Sequence, residues 1–224
     1  MKQGIPRAVS FVKNNSAVVL FALICGIVVV LDKASVLYLY AWCLSLSHFR
    51  IWQPISFIFT CDSYFSLLYN VLALLLVGRP LEQSIGSRKF YTVIFCSAII
   101  CSMIYLGYSY GEFLYQSEKY PEISRNDIMK QIPVLLGSGL VASTSMIACA
   151  FIFPDLRLSI KTPKLSMKIS HFVILWTGIG LLSASETQYA GGEWATIFAS
   201  VLTSYVLIRY WKKSGRIYLR NKWF

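Results

Sequence analysis

Charge is scarce in this 224-residue chain: 14% of the residues are Asp, Glu, Lys or Arg, against 56% hydrophobic ones. Soluble domains carry about 25% charge, so a water-excluding core of ordinary size is not where this apolar content goes, and bilayer burial takes its place. Acids are the scarcer sign, with 10 Asp and Glu against 21 Lys and Arg. Histidine is nearly absent; His48 and His171 are the two in the chain. The six cysteines (Cys25, Cys43, Cys61, Cys96, Cys101 and Cys149) form no CxxC pair and mostly fall inside apolar runs. They predict neither a zinc site nor a disulfide framework, and no metal or cofactor is expected. No internal repeat or low-complexity tract divides the sequence. No small-residue cleavage site follows the first apolar run, so no cleavable signal peptide is expected.

What the chain does have is a series of apolar stretches. Measured against the roughly 20 residues needed to cross a hydrocarbon core, spans are predicted over Ser16 to Leu31, Gln53 to Val77, Phe90 to Tyr108, Pro133 to Phe153, Ile169 to Ala184 and Trp194 to Trp211. The runs are continuous and lack the alternation of an outer-membrane barrel, so each is expected to be a helix. Residues 1–224 are therefore read as a single all-α, polytopic six-helix domain.

The basic residues sit between these runs in a regular way. Lys2, Arg7 and Lys13 precede the first; Arg79, Arg88 and Lys89 follow the second; Arg157, Lys161, Lys164 and Lys168 follow the fourth; and Arg209, Lys212, Lys213, Arg216, Arg220 and Lys222 follow the sixth. With Glu82 and Asp155 included, these segments carry +3, +2, +3 and +6, while the segments between them carry 0, −1 and −2, accounting for the net charge of +11. This is the positive-inside pattern, and it predicts a multi-pass protein with both termini and short basic tails in the cytoplasm. Because the Lys and Arg residues are split among membrane borders, the expected partner is anionic lipid of the bilayer and not nucleic acid.

Two loops differ in kind. The segment from about Ala34 to Gln53 carries Tyr38, Tyr40, Trp42, Phe49 and Trp52 and is expected to lie in the outer interface. Ser109 to Ile132, with Glu112, Glu118, Glu122 and Asp127, reads as an ordinary solvated loop.

Asn70 is followed by Gly78-Arg79-Pro80-Leu81-Glu82 and then by Gly86-Ser87-Arg88-Lys89-Phe90, with Trp52-Gln53 ahead of it. From about Arg50 onward this resembles the rhomboid superfamily of six-helix intramembrane serine proteases and their inactive relatives. The resemblance extends more weakly to Gly137-Ser138-Gly139 and Phe153-Pro154-Asp155. It implies a nucleophilic Ser in a Gly-x-Ser-Gly turn on the fourth helix, a His near the outer end of the sixth, and a His-x-x-x-Asn motif on the second. This chain departs at each point. Its two histidines lie outside the sixth span, where Gln188, Tyr189 and Gly192 occupy the family's region for the base; Ser66 stands in the second-helix His place; and Gln53 replaces the Arg of a Trp-Arg pair.

The candidate nucleophile is Ser138, with Gly139 aligning instead when no gap is allowed from Pro154. A helix starting at Pro133 would put Ser138 roughly 8 Å below the outer boundary. A Ser hydroxyl needs a base, and Lys130 and Glu193 are poor substitutes for imidazole. The resemblance therefore implies a pseudoprotease that binds transmembrane segments of other proteins through Asn70, Ser66, Ser138, Gly139 and Tyr189. The alternatives are a divergent active protease using Ser138 and a structural subunit of a membrane complex. Trp52, Gln53, Arg79, Glu82 and Gly86 are read as structural. Gly191, Ala195, Ala199 and Thr203 form a small-residue packing stripe. Glu82 is expected to meet a cationic or amide-donating partner, with Arg79 or Arg88 favoured, and Pro80 is a candidate end for its helix.

Overall fold

The computed structural model describes residues 16–34, 42–61, 63–155, 157–159, 166–185 and 190–214. Helix α1, Ser16–Lys33, is apolar from Ala17 to Leu31 and ends in Asp32 and Lys33. A short helix α2, Gln53–Ser56, runs into a single 3-10 turn, Phe57–Phe59. Helix α3 runs Tyr64–Ile85 and α4 Ser87–Lys119. Next come α5, Arg125–Gln131, and α6, Ser138–Ile152. Strands β1, Arg157–Ser159, and β2, Ser166–Lys168, pair antiparallel with Arg157 opposite Lys168. Helices α7, Ile169–Ser185, and α8, Ala190–Lys213, complete the described chain.

The outward surfaces show what solvent this fold is built for. Leu20, Leu23, Ile27 and Val30 on α1, Phe65, Leu68, Leu72 and Leu76 on α3, and Phe198, Leu202 and Val206 on α8 are all exposed and recur every three or four residues. Stripes of that size facing water would be an aggregation surface; facing acyl chains they are at equilibrium. Among the described residues α3, α4 and α8 are long and apolar enough to cross a membrane, while α6 and α7 contribute shorter apolar segments.

Helix α6 forms the centre, contacting α3, α4, α7 and α8. Ala142, Ser145 and Ala148 are fully or almost fully buried along it, because small side chains let neighbouring backbones approach. Helices α4 and α8 make the most extensive pairing, closed by the Cys101 thiol, which donates to the Thr196 carbonyl at 3.3 Å. The stripe expected on α8 is partly where the packing falls: Ala199 and Thr203 are buried, but Gly191 is exposed and Ala195 intermediate. The adjacent row Gly192, Thr196, Ser200 and Ser204 is the more deeply buried one.

Four sequence expectations change. The span predicted from Gln53 begins at Tyr64 instead, because residues 53–60 fold back as α2 and its 3-10 turn. Ser63 caps α3, its hydroxyl accepting from the Ser66 amide. The helix predicted to stop near Tyr108 continues to Lys119, so Ser109–Ile132 is no plain loop: Gln116 donates to Glu112 at 2.8 Å along the extension, and α5 follows. The helix predicted from Pro133 begins at Ser138, since Leu135 is drawn into a two-hydrogen-bond bridge with Leu44. Pro80 does not end α3; the helix opens into a π-helical turn, Leu74–Gly78, just before it and continues to Ile85. Widening the turn there relieves the clash of a proline ring with the carbonyl one turn back.

Candidate functional site

Helices α3, α6, α7 and α8 surround a cavity of about 580 Å³. Helix α3 supplies Ser66, Tyr69 and Asn70; α6 supplies Ser138, Gly139, Leu140 and Ser143; α7 supplies Trp176; and α8 supplies Glu193, Thr196, Ile197 and Ser200. Its polar wall is a bonded network. The Asn70 side-chain amide donates to the Ser138 hydroxyl at 2.9 Å and lies 3.4 Å from that of Ser66. Trp176 donates through Nε1 to Ser143 at 3.3 Å, and its ring stacks on Tyr69 with centroids 4.2 Å apart.

The position of Ser138 follows from the chain before it. The Gly137 and Ser138 amides donate to the carbonyls of Phe57 and Thr60 at 3.0 and 3.2 Å, pinning residues 137–138 to the folded-back segment. Gly137 is required there, since a Cβ would stand 2.5 Å from the Phe57 ring and 2.8 Å from the Ile58 Cα. Ser138 is thus the first residue of α6 and not five residues inside a helix. It is nevertheless buried, as are Asn70 and its bond.

Four of the five binding residues proposed from the sequence come together here: Ser66, Asn70, Ser138 and Gly139. The fifth, Tyr189, lies outside the described residues. Missing from that reading were Tyr69 and Trp176, whose aromatic contact crosses two helices far apart in sequence. Glu193, considered there only as a weak base, is the charged side chain on the cavity wall among the described residues. No histidine lines it: His48 accepts or donates at Ser47 in the loop before α2, and His171 is on the first turn of α7.

The supporting residues have partners that the side-chain sequence could not disclose. Gln53 is wholly buried and ties its loop together, accepting from the amides of Arg50 and Ser45 and donating to the His48 carbonyl. Trp52 remains exposed, with the Arg50 guanidinium 5.4 Å from its ring centre. Glu82 is buried and meets amide donors, as expected of it, though backbone ones. Its two oxygens accept from the Ala17 and Val18 amides at 2.9 and 3.0 Å, and Ser87 donates to it at 2.6 Å. The first amides of a helix have no partner within it, and an anion there also meets the positive end of the helix dipole. Gly86 makes the turn between α3 and α4 at φ +82°, a conformation that favours glycine.

The sequence from residue 14 to residue 221 matches the family model described as "Eukaryotic integral membrane protein (DUF1751)". The chain belongs to this family. The DUF1751 match includes every helix that builds the cavity, so this site is formed within the family's own domain. No curated protein and no solved structure shows significant similarity to the chain.

Proposed function

We propose that this DUF1751 protein is a catalytically inactive rhomboid-like protein whose cavity receives transmembrane segments of partner proteins. The observation that carries the reading is the Asn70–Ser138 bond: the hydroxyl in the nucleophile's place accepts a hydrogen bond from an amide, which has no basic lone pair to take its proton. A cavity rich in hydroxyl and amide groups at membrane depth suits a helix that carries polar residues of its own, because those groups find no partners in lipid. Glu193 gives the site one acidic wall. In this reading six helices cross the bilayer, the loop with Phe49, Ile51 and Trp52 rests in the outer interface, and the basic termini share the cytoplasmic side.

A photo-crosslinking amino acid at Leu140, on the cavity wall, should capture membrane-spanning segments of other proteins. The same group at the exposed Leu68 should capture chiefly lipid. Equal protein capture at both positions would defeat the binding reading. Purified protein should also leave a rhomboid-cleavable transmembrane substrate intact. Cleavage that disappears in Ser138→Ala would make the chain a protease.

A further inference from the structure

A second concavity lies further along α6, toward its C-terminal end. Ile147, Ala150 and Phe151 of α6 face Val173, Ile174 and Gly178 of α7 across a groove of about 600 Å³, and its walls are almost wholly apolar. Its described lining starts at Ser170, in the first turn of α7, and runs to Gly178. Eight residues of helix rise about 12 Å, close to the roughly 15 Å depth of one leaflet's hydrocarbon.

Cations stand at the Ser170 end. Lys212 donates to the Phe151 carbonyl at 2.7 Å. Arg209 bonds the Tyr205 hydroxyl, and the Tyr205 ring packs against Phe151 with centroids 5.4 Å apart. Lys168 is neutralised by Asp155 at 3.2 Å, whereas Arg209 and Lys212 form no ion pair among the described residues. The groove therefore joins an apolar channel of leaflet depth to two exposed, unneutralised positive charges.

We propose that this groove is a binding site for an anionic phospholipid, one acyl chain lying between α6 and α7 and the phosphate-bearing headgroup meeting Arg209 and Lys212. The charges at its mouth select the headgroup, because a zwitterionic lipid offers the same chain and no net charge. The site is separate from the cavity of Asn70 and Ser138 and does not depend on what that cavity binds.

The test is native mass spectrometry of the full chain in detergent, titrated with phosphatidylserine or with phosphatidylcholine of identical acyl chains. Phosphatidylserine should be retained preferentially. Arg209→Gln with Lys212→Gln should bring the two lipids level, with affinity for phosphatidylserine falling about fivefold per charge removed. Gly178→Phe should reduce retention of both, since the space beside Gly178 is open and a ring there fills the groove without meeting another atom at Cβ. Equal retention of the two lipids by the parent protein, or a preference unchanged in the charge variant, would overturn the proposal. So would lipid binding indifferent to Gly178→Phe, or a co-purifying protein segment displaced by it in place of lipid.

Discussion

Asn70 and Ser138 are 68 residues apart in sequence and 2.9 Å apart in space, joined by a hydrogen bond from amide to hydroxyl that fastens α3 to the first residue of α6. Asn70→Ala removes the donor to Ser138 and the weaker contact with Ser66, whereas Ser138→Ala leaves the latter in place. Interhelical bonds in membranes average about 0.6 kcal/mol and reach about 1.7. Denaturation in mixed micelles should rank Asn70→Ala as the more destabilising by several tenths of a kcal/mol, and the reverse order would show that Asn70 is held elsewhere.

Gly137 and Gly139 flank Ser138 but differ in the space around them. An added Cβ at Gly139 would lie 3.9 Å from the Asn70 side chain, an ordinary contact, while one at Gly137 meets both the Phe57 ring and the Ile58 backbone. Gly139→Ala should therefore fold with near-parental melting. Gly137→Ala should lose roughly 1–3 kcal/mol through overpacking. Equal melting temperatures for the two variants would contradict this packing.

Replacing the buried carboxylate of Glu82 leaves the leading amides of α1 without their acceptor. Each unsatisfied buried donor costs about 1–3 kcal/mol, so Glu82→Ala should loosen α1 before the rest of the bundle. Hydrogen exchange should quicken first at Ala17 and Val18, and exchange there at parental rates would place the cap elsewhere.

Burial pushes the Cys43 thiol, in the loop before α2, up to about 11. A raised thiol pKa favours the neutral folded form; its contribution is complete below the unfolded value near 9 and is lost as pH rises toward 11. In a variant retaining Cys43 alone among the cysteines, maleimide labelling should be slow at pH 8 and accelerate steeply above pH 9. Rapid labelling at pH 8 would show an open loop.

The sequence disclosed the cavity residues through a simple conflict, polar groups such as Asn70 and Ser138 within apolar runs. It did not disclose where those runs become helix. Residues 133–136 and 55–59 are as apolar as a membrane span, yet their backbones are committed to Leu44 and to Gly137, pairings between distant segments that local hydrophobicity does not encode. In α4 the error ran the other way, since Glu112 and Gln116 look like loop residues until their spacing of four is read as a helical pair. That Glu82 would meet an amide donor was legible, but not that the amides are those of Ala17 and Val18, because a backbone amide has no letter in a sequence. Three helices of spanning length follow from composition, as does membership of a membrane family.

The π-helical turn sets the angular phase of α3. From Asn70 to Glu82 the chain takes twelve steps, which in an unbroken α-helix at about 100° each would leave the two side chains roughly 120° apart. Leu74–Gly78 absorbs about one residue more than an α-turn would. The rotation is then that of about eleven steps, within roughly 20° of three whole turns. Asn70 and Glu82 consequently look inward together, one toward the cavity and the other toward α1. Straightening that turn into regular α-helix without changing its length would swing the Glu82 end about a quarter of the way round, so the widened turn between these two polar groups is as much a part of the fold as their identity.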